Sequence, residues 1–206
     1  MNGLIFLWLM WAGWIVSTFI VNKNNAWRFR CSAAILILII SFPYAVGTPG
    51  QHAGLTAFEI FLFSMLLIRN YSLTEKLFLF LCSFIIGLSY SSFKLLSVYD
   101  PIIIVFDEKL MVTAILLVIS YLLYSDVKQV KKRLLALVIG LIIGEFLTGT
   151  VFLQHKLPYA AGGHLFLDVI SVIAVSVGVL HLLQLLSNTQ SSFIKTELKK
   201  GEVKNL

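Results

Sequence analysis

Charged residues are scarce in this 206-residue chain, at 13% against the roughly 25% of a soluble domain. With 59% hydrophobic residues and a mean hydropathy of +0.93, an ordinary soluble core is excluded. Cysteine is almost missing. Cys31 and Cys82 show no CxxC spacing and no neighbouring His, so no structural disulfide is expected. The motifs of powered transport and of hydrolysis are absent as well. No G-x-x-x-x-G-K-[ST] provides for a nucleotide-driven pump. No G-x-S-x-G occurs, and Ser171, Asp168 and His164 share one helix without the strained turn that presents a hydrolase serine. Nothing marks a Ser–His pair on two helices, so no catalytic residue and no cofactor is expected. The chain begins Met1-Asn2-Gly3 and runs straight into apolar residues, without a basic leader or an A-x-A site. That start predicts a retained first span.

What the chain does have is a pattern in its 16 Lys and Arg residues. All but Lys94, Lys109 and Lys156 fall in four polar segments: 22–30, 69–76, 125–133 and the tail from Lys195 to Lys204. The breaks between them, 48–52, 98–100 and 154–163, contribute only Lys156. In a soluble protein a net charge of +6 suggests nucleic acid or acidic partners. Basic residues flanking apolar spans instead give the orientation signal of a multi-pass protein, so no nucleic-acid partner is expected.

A bilayer core of about 30 Å needs roughly 20 apolar helical residues per crossing. The pattern therefore predicts an all-α polytopic membrane protein with seven transmembrane helices near 3–21, 31–47, 53–68, 77–97, 101–124, 134–153 and 164–186. Its N-terminus is outside and its C-terminus cytoplasmic, because losing one span inverts every later loop. Residues 1–186 form one membrane domain, and 187–206 a polar basic cytoplasmic tail. Phe193, Ile194 and Leu198 are spaced for a short amphipathic helix on the inner leaflet; a frayed tail is the plainer reading.

The fifth span is the weakest, since residues 110–124 alone reach only about 22 Å at 1.5 Å per residue. Asp100-Pro101 makes a good cap and first-turn pair, so the helix is expected to start there and to take in Asp107, Glu108 and Lys109. The rival reading makes 102–106 a short interfacial segment. Pro43 marks either a kink or the end of span two. Trp8, Trp11 and Trp14 form an aromatic ridge along span one, read as helix packing, a partner contact or a cation cage.

Any chemistry must lie in the ionisable residues within the spans, each costly in hydrocarbon unless paired, protonated or hydrated. Glu59 is in span three, Lys94 in span four, Glu145 in span six and Asp168 in span seven, with His164 at its mouth. All map to the outer half of the membrane. Ser83, Gly87, Ser91 and Lys94 share one face of span four; Gly140, Gly144 and Thr148 repeat beside Glu145; Asp168, Ser171, Val175 and Gly178 share a face of span seven. These small-residue stripes are expected to face one another, with spans three, four, six and seven as the core.

Three carboxylates then meet one lysine, which pairs with Glu145 or Asp168 and leaves two acids to be protonated, hydrogen-bonded or bound to a cation. Four readings stay open: helix packing alone, a proton- or cation-linked transport site, a polar pocket for a small substrate, and a metal site. For metal no site is expected; His52, His155, His164 and Asp168 are its weak candidates, since His164 and Asp168 lie one turn apart and no H-E-x-x-H occurs.

The opening Gly3-Leu4-Ile5-Phe6-Leu7-Trp8-Leu9-Met10-Trp11-Ala12-Gly13-Trp14-Ile15, followed by a short basic loop in a chain of this length and layout, resembles the YphA family of small Bacillus-type membrane proteins. The resemblance implies a Gram-positive plasma membrane protein and carries over no catalytic residues. The functional expectation is a small transporter-like or ligand-binding membrane protein with a proton, cation or small molecule at the ionisable cluster. The alternative is a non-catalytic scaffold or accessory subunit, whose polar residues serve helix packing and whose basic loops meet anionic lipid or a membrane or cytosolic protein partner.

Overall fold

Long apolar runs bounded by capping residues set the helices. A computed structural model of the chain describes residues 3–22, 26–48, 51–100, 102, 104, 106–124 and 129–204. Lys23, Lys128 and Pro101, which figure in the sequence expectations, lie outside them. Among the described residues there are seven α-helices: α1 Leu4–Ile15, α2 Ala26–Ser41, α3 Leu55–Ile68, α4 Leu73–Tyr99, α5 Glu108–Leu123, α6 Val130–Gln154 and α7 His164–Lys204. A π-helical turn, Val16–Ile20, extends α1. Three helical stretches, Leu73–Tyr99, Val130–Gln154 and His164–Gln184, are long and apolar enough to cross a membrane.

Two expected boundaries move. The fifth helix starts at Glu108, not at residue 101, because Asp107 is its N-cap and accepts from the Lys109 N–H at 2.9 Å. Asp100 instead closes a local turn with the Ile102 N–H at 3.2 Å. Both aspartates have capping chemistry, and the one followed by Glu108 in the first turn starts the helix. At 16 residues α5 is only about 24 Å long. Span two ends at Ser41 rather than 47: Pro43 follows, and the Tyr44 N–H bonds back to Ser41 O at 2.9 Å. Pro43 terminates the helix rather than kinking it.

The breaks expected at 48–52 and 154–163, together with residues 45–47 and 53–54 expected at the ends of spans two and three, include extended strands. Ala45–Thr48 (β1) pairs antiparallel with Gln51–Gly54 (β2), and β2 pairs parallel with Tyr159–Ala161 (β3). The all-α expectation is therefore corrected to a helical bundle with a three-stranded sheet at one end. The ladder pairs the backbone groups of the segments that follow α2, precede α3 and follow α6. The helices alternate about it. Asp168 near the start of α7 holds the starts of both α1 and α5, and α3 follows β2 directly, so all four begin at the sheet end. Glu75 of α4 pairs with Lys132 of α6 at 2.7 Å, so those two begin together at the opposite end.

The core differs from expectation in one member. Its buried apolar side chains come from α4, α5, α6 and α7, with Phe6 of α1, whereas α3 buries only Thr56 and Ser64. Helix α5 thus takes the place assigned to span three. Around this core lies a mantle of exposed apolar side chains, as a surface solvated by lipid requires. Trp8 belongs to it at 75% exposure, so the head of the aromatic ridge points outward rather than into the packing. Helix α7 continues through the basic tail to Lys204; the amphipathic face expected there rests on side chains outside those described.

Candidate functional site

Helices α4 and α6 approach until their backbones touch. A Cβ on Gly87 would lie 2.8 Å from Gly140 O, and one on Gly144 would lie 2.5 Å from Tyr90 Cδ1 and 2.8 Å from Gly87 O. Only glycine permits that spacing. The expected stripes of spans four and six do face each other, and Thr148 Oγ1 donates to Ser91 Oγ at 3.2 Å across them. The stripe of span seven holds for Asp168 and Ser171 but fails beyond: Val175 and Gly178 are exposed, and the buried face runs through Ile170, Ile173 and Val177.

This close contact sets Glu145 of α6 against Tyr90 and Lys94 of α4. Glu145 Oε1 accepts from Tyr90 OH at 2.5 Å and from Lys94 Nζ at 3.2 Å. Its Oε2 accepts from Tyr159 OH at 2.8 Å and from the Gly162 N–H at 2.9 Å. The carboxylate is buried and fully engaged by four donors. Gly162 sits at φ +64°, a left-handed conformation that aims its N–H at Glu145. Lys94 Nζ lies 5.6 Å and 5.7 Å from the ring centroids of Tyr90 and Tyr159, so two aromatic faces add to its ion pair. Burial, and then the Glu145 charge, push the Tyr159 phenol above its ordinary range, which keeps it a donor.

Asp168 belongs to a second, separate site. Its Oδ2 accepts from Lys109 Nζ at 2.7 Å and from the Gly3 N–H at 2.8 Å, and its Oδ1 from the Phe6 N–H at 3.1 Å. A carboxylate of α7 thus caps the N-terminus of α1, where the helix dipole favours negative charge, while a lysine of α5 neutralises it. Asp168 is 0% exposed. Glu59 stands in a third place, half-buried, accepting from Ser41 Oγ at 2.6 Å.

The expected single cluster of Glu59, Lys94, Glu145, Asp168 and His164 is therefore divided. Lys94 pairs with Glu145, and Lys109, which the sequence count left out, supplies the second cation. His164 is exposed and packs tilted against Phe42, with ring centroids 4.8 Å apart, rather than joining Asp168 one turn on. His52 lies in β2 opposite Ala160, and His155 caps the end of α6. Among the described residues no three His, Cys, Asp or Glu side chains gather in a way that holds a metal ion.

Sequence reasoning missed Tyr90, Tyr159, Lys109 and Arg133. Tyr90 was within reach, being four residues before Lys94 on the same helical face. Tyr159 carried no signal, because its position depends on the sheet. Arg133, read as a loop residue, is buried: its Nη2 donates to Tyr124 O at the end of α5, and its Cζ lies 3.8 Å from the Tyr121 ring centroid. A cation at that helix C-terminus is favourable.

Two crevices meet at Glu145, one of about 440 Å³ toward α3 and one of about 400 Å³ toward the mouth of the sheet. The Glu145→Gln variant tests how the carboxylate is held. A glutamine amide must turn its NH₂ toward either Tyr159 OH and the Gly162 N–H or Tyr90 and Lys94. Donor then faces donor, and Lys94 loses its counter-ion. We expect a loss of about 2–3 kcal/mol in detergent unfolding, against about 1 kcal/mol for Tyr159→Phe.

No curated protein and no solved structure matches the chain. The model of one family does, and it extends the resemblance of the Trp-rich first helix over nearly the whole length. Matched over residues 2–204, the chain belongs to the family of YphA-like integral membrane proteins.

Proposed function

We propose that this protein is a seven-span membrane protein of a bacterial plasma membrane, with its N-terminus and sheet outside, that binds a ligand in the cleft beside Glu145. The observation carrying this reading is the convergence of two crevices on one buried, ion-paired carboxylate. Such apolar clefts with a few convergent polar groups are the usual form of small-molecule sites. Binding is favoured over proton-coupled transport because every oxygen of Glu145 and Asp168 is already engaged by donors. A carboxylate that cycles protons needs a partner it can release.

The alternation of helix starts about the sheet supports the seven crossings, and the basic residues 69–76 and 129–133 at the opposite end support a cytoplasmic assignment for that end. Cysteine labelling checks this. With Cys31 and Cys82 replaced by Ala, Lys156→Cys is expected to react with an impermeant maleimide in intact cells, and Arg69→Cys only after permeabilisation. The opposite pattern overturns the orientation.

For the binding reading, Ala53→Trp fills the wall common to both crevices. Mildly extracted wild-type protein is expected to retain a non-covalent small molecule in native mass spectrometry, and Ala53→Trp to lose it with its helical circular-dichroism spectrum unchanged. Equal content in both removes the reading. The scaffold reading draws on the same saturation of polar groups, and it is what remains if nothing is bound.

A further inference from the structure

The two crevices share Ala53, Glu145, Phe146 and Ala161, so they form one continuous cleft along α6. Its deep part is walled by Phe58, Phe61, Ile142, Ile143 and Phe166. Its other end is bordered by His52, Thr150 and Leu153. Polarity therefore rises in one direction only. From Ile142 to Leu153 the helix advances about 16 Å at 1.5 Å per residue, close to the depth of one leaflet of a hydrocarbon core about 30 Å thick. The side wall is open: Phe58 is 58% exposed and Phe146 70% exposed.

We infer that this cleft holds a single acyl chain of an outer-leaflet lipid, with its methyl end between Phe58 and Phe61 and its polar end at His52 and Thr150. The inference rests on the binding reading above and names the class of ligand. Glu145 does not oppose it. That carboxylate is matched by Lys94 and by three further donors, so the wall it contributes carries no net charge toward a hydrocarbon chain. A ligand bearing its own charge finds no free counter-charge in the deep part, where the wall is aromatic and aliphatic. The surrounding solvent at that depth is acyl chain, and no desolvation of a polar ligand is needed for entry through the open side.

The test uses full-length protein in nanodiscs of phosphatidylglycerol containing a tracer whose acyl chain ends in a diazirine. Photolabelling is expected to concentrate on peptides containing Phe58, Phe61, Ile142 and Ile143, exceeding that at Trp8, Phe19 and Leu122 by more than about tenfold, the ratio given by 1.4 kcal/mol of preferential occupancy. Both Ala53→Trp and Thr150→Trp are expected to bring it down to the level of those other sites; two variants at opposite parts of the cleft guard against a folding failure in one. Even labelling over all lipid-facing helices, unaffected by either substitution, overturns the inference. If native mass spectrometry then shows a retained molecule that is not a lipid and is lost in Ala53→Trp, the acyl-chain assignment falls and the binding reading stands. If nothing is retained either, both fall.

Discussion

Replacing Gly140 with leucine is expected to force α4 and α6 apart and to lower unfolding stability by about 3 kcal/mol or more. The site leaves no slack. A Cβ at Gly140 would stand 2.6 Å from Ile86 Cγ2, 2.8 Å from Ile86 Cβ and 2.8 Å from Ser83 O. The last of these is backbone and cannot rotate away, so even alanine requires the helices to separate. Because Tyr90 and Lys94 reach Glu145 across this same seam, separation also lengthens their hydrogen bonds. The loss should then exceed what the steric clash alone gives. Gly178→Ala is the control: nothing lies within 4 Å of a Cβ there, so the change should be neutral or stabilise by up to about 1 kcal/mol through helix propensity. Thermal unfolding in detergent, followed by circular dichroism, measures both. Equal effects at the two glycines would mean that the α4–α6 contact is not as close as described.

Asp168→Ala should be as damaging, at about 3–5 kcal/mol, because it leaves a lysine without its counter-ion and two helix N–H groups without an acceptor in a buried place. Three helices are released together. Asp168 joins α7 to the start of α1 through Gly3 and Phe6, and to α5 through Lys109. Asp168→Asn keeps an acceptor for one or two of these donors and should cost less than alanine. Lys109→Met removes the cation and leaves the carboxylate buried with only the α1 amides. The double variant Asp168→Leu with Lys109→Met should recover part of either single loss, since a buried ion pair replaced whole by apolar side chains is often close to neutral. Titration into sodium dodecyl sulfate reads all four. Recovery absent in the double variant would show that capping of α1 outweighs the ion pair.

Most of the helical frame was readable in the chain because long apolar runs have few alternatives. Helices expected at 77–97 and 134–153 are found at Leu73–Tyr99 and Val130–Gln154, extended at the start by Ser72 and Glu75 in a capping box and by the basic residues before Arg133. The facing of Gly87 with Gly140 and Gly144 was readable for a related reason: small residues repeating every fourth position leave a groove that only another helix fills. The sheet was not. Its strands are three or four residues long, AVGT, QHAG and YAA, with no alternation of polar and apolar side chains, and its third strand joins by pairing with a segment about a hundred residues away in sequence. With the sheet went Tyr159 and the Gly162 N–H, half of the Glu145 environment. The start of α5 turned on a choice between two capping aspartates, and choosing Asp100 placed Lys109 about two turns into the outer part of a helix rather than in the first turn beside Asp168. That one boundary hid the second ion pair. Which carboxylate Lys94 would take was open in the sequence, since Glu145 and Asp168 share a depth, and it is decided by the glycine seam between α4 and α6.

Two ion pairs with no partner in common, Lys94–Glu145 and Lys109–Asp168, are what separate the proposed binding site from a shared titrating cluster. A double-mutant cycle between Glu145→Gln and Asp168→Asn, read as unfolding free energy in detergent, tests this most directly. Additive losses, to within about 0.5 kcal/mol, are predicted for sites that share no contact. A coupling above about 1 kcal/mol would contradict that separation and restore a single cluster in which the two acids compete for one cation.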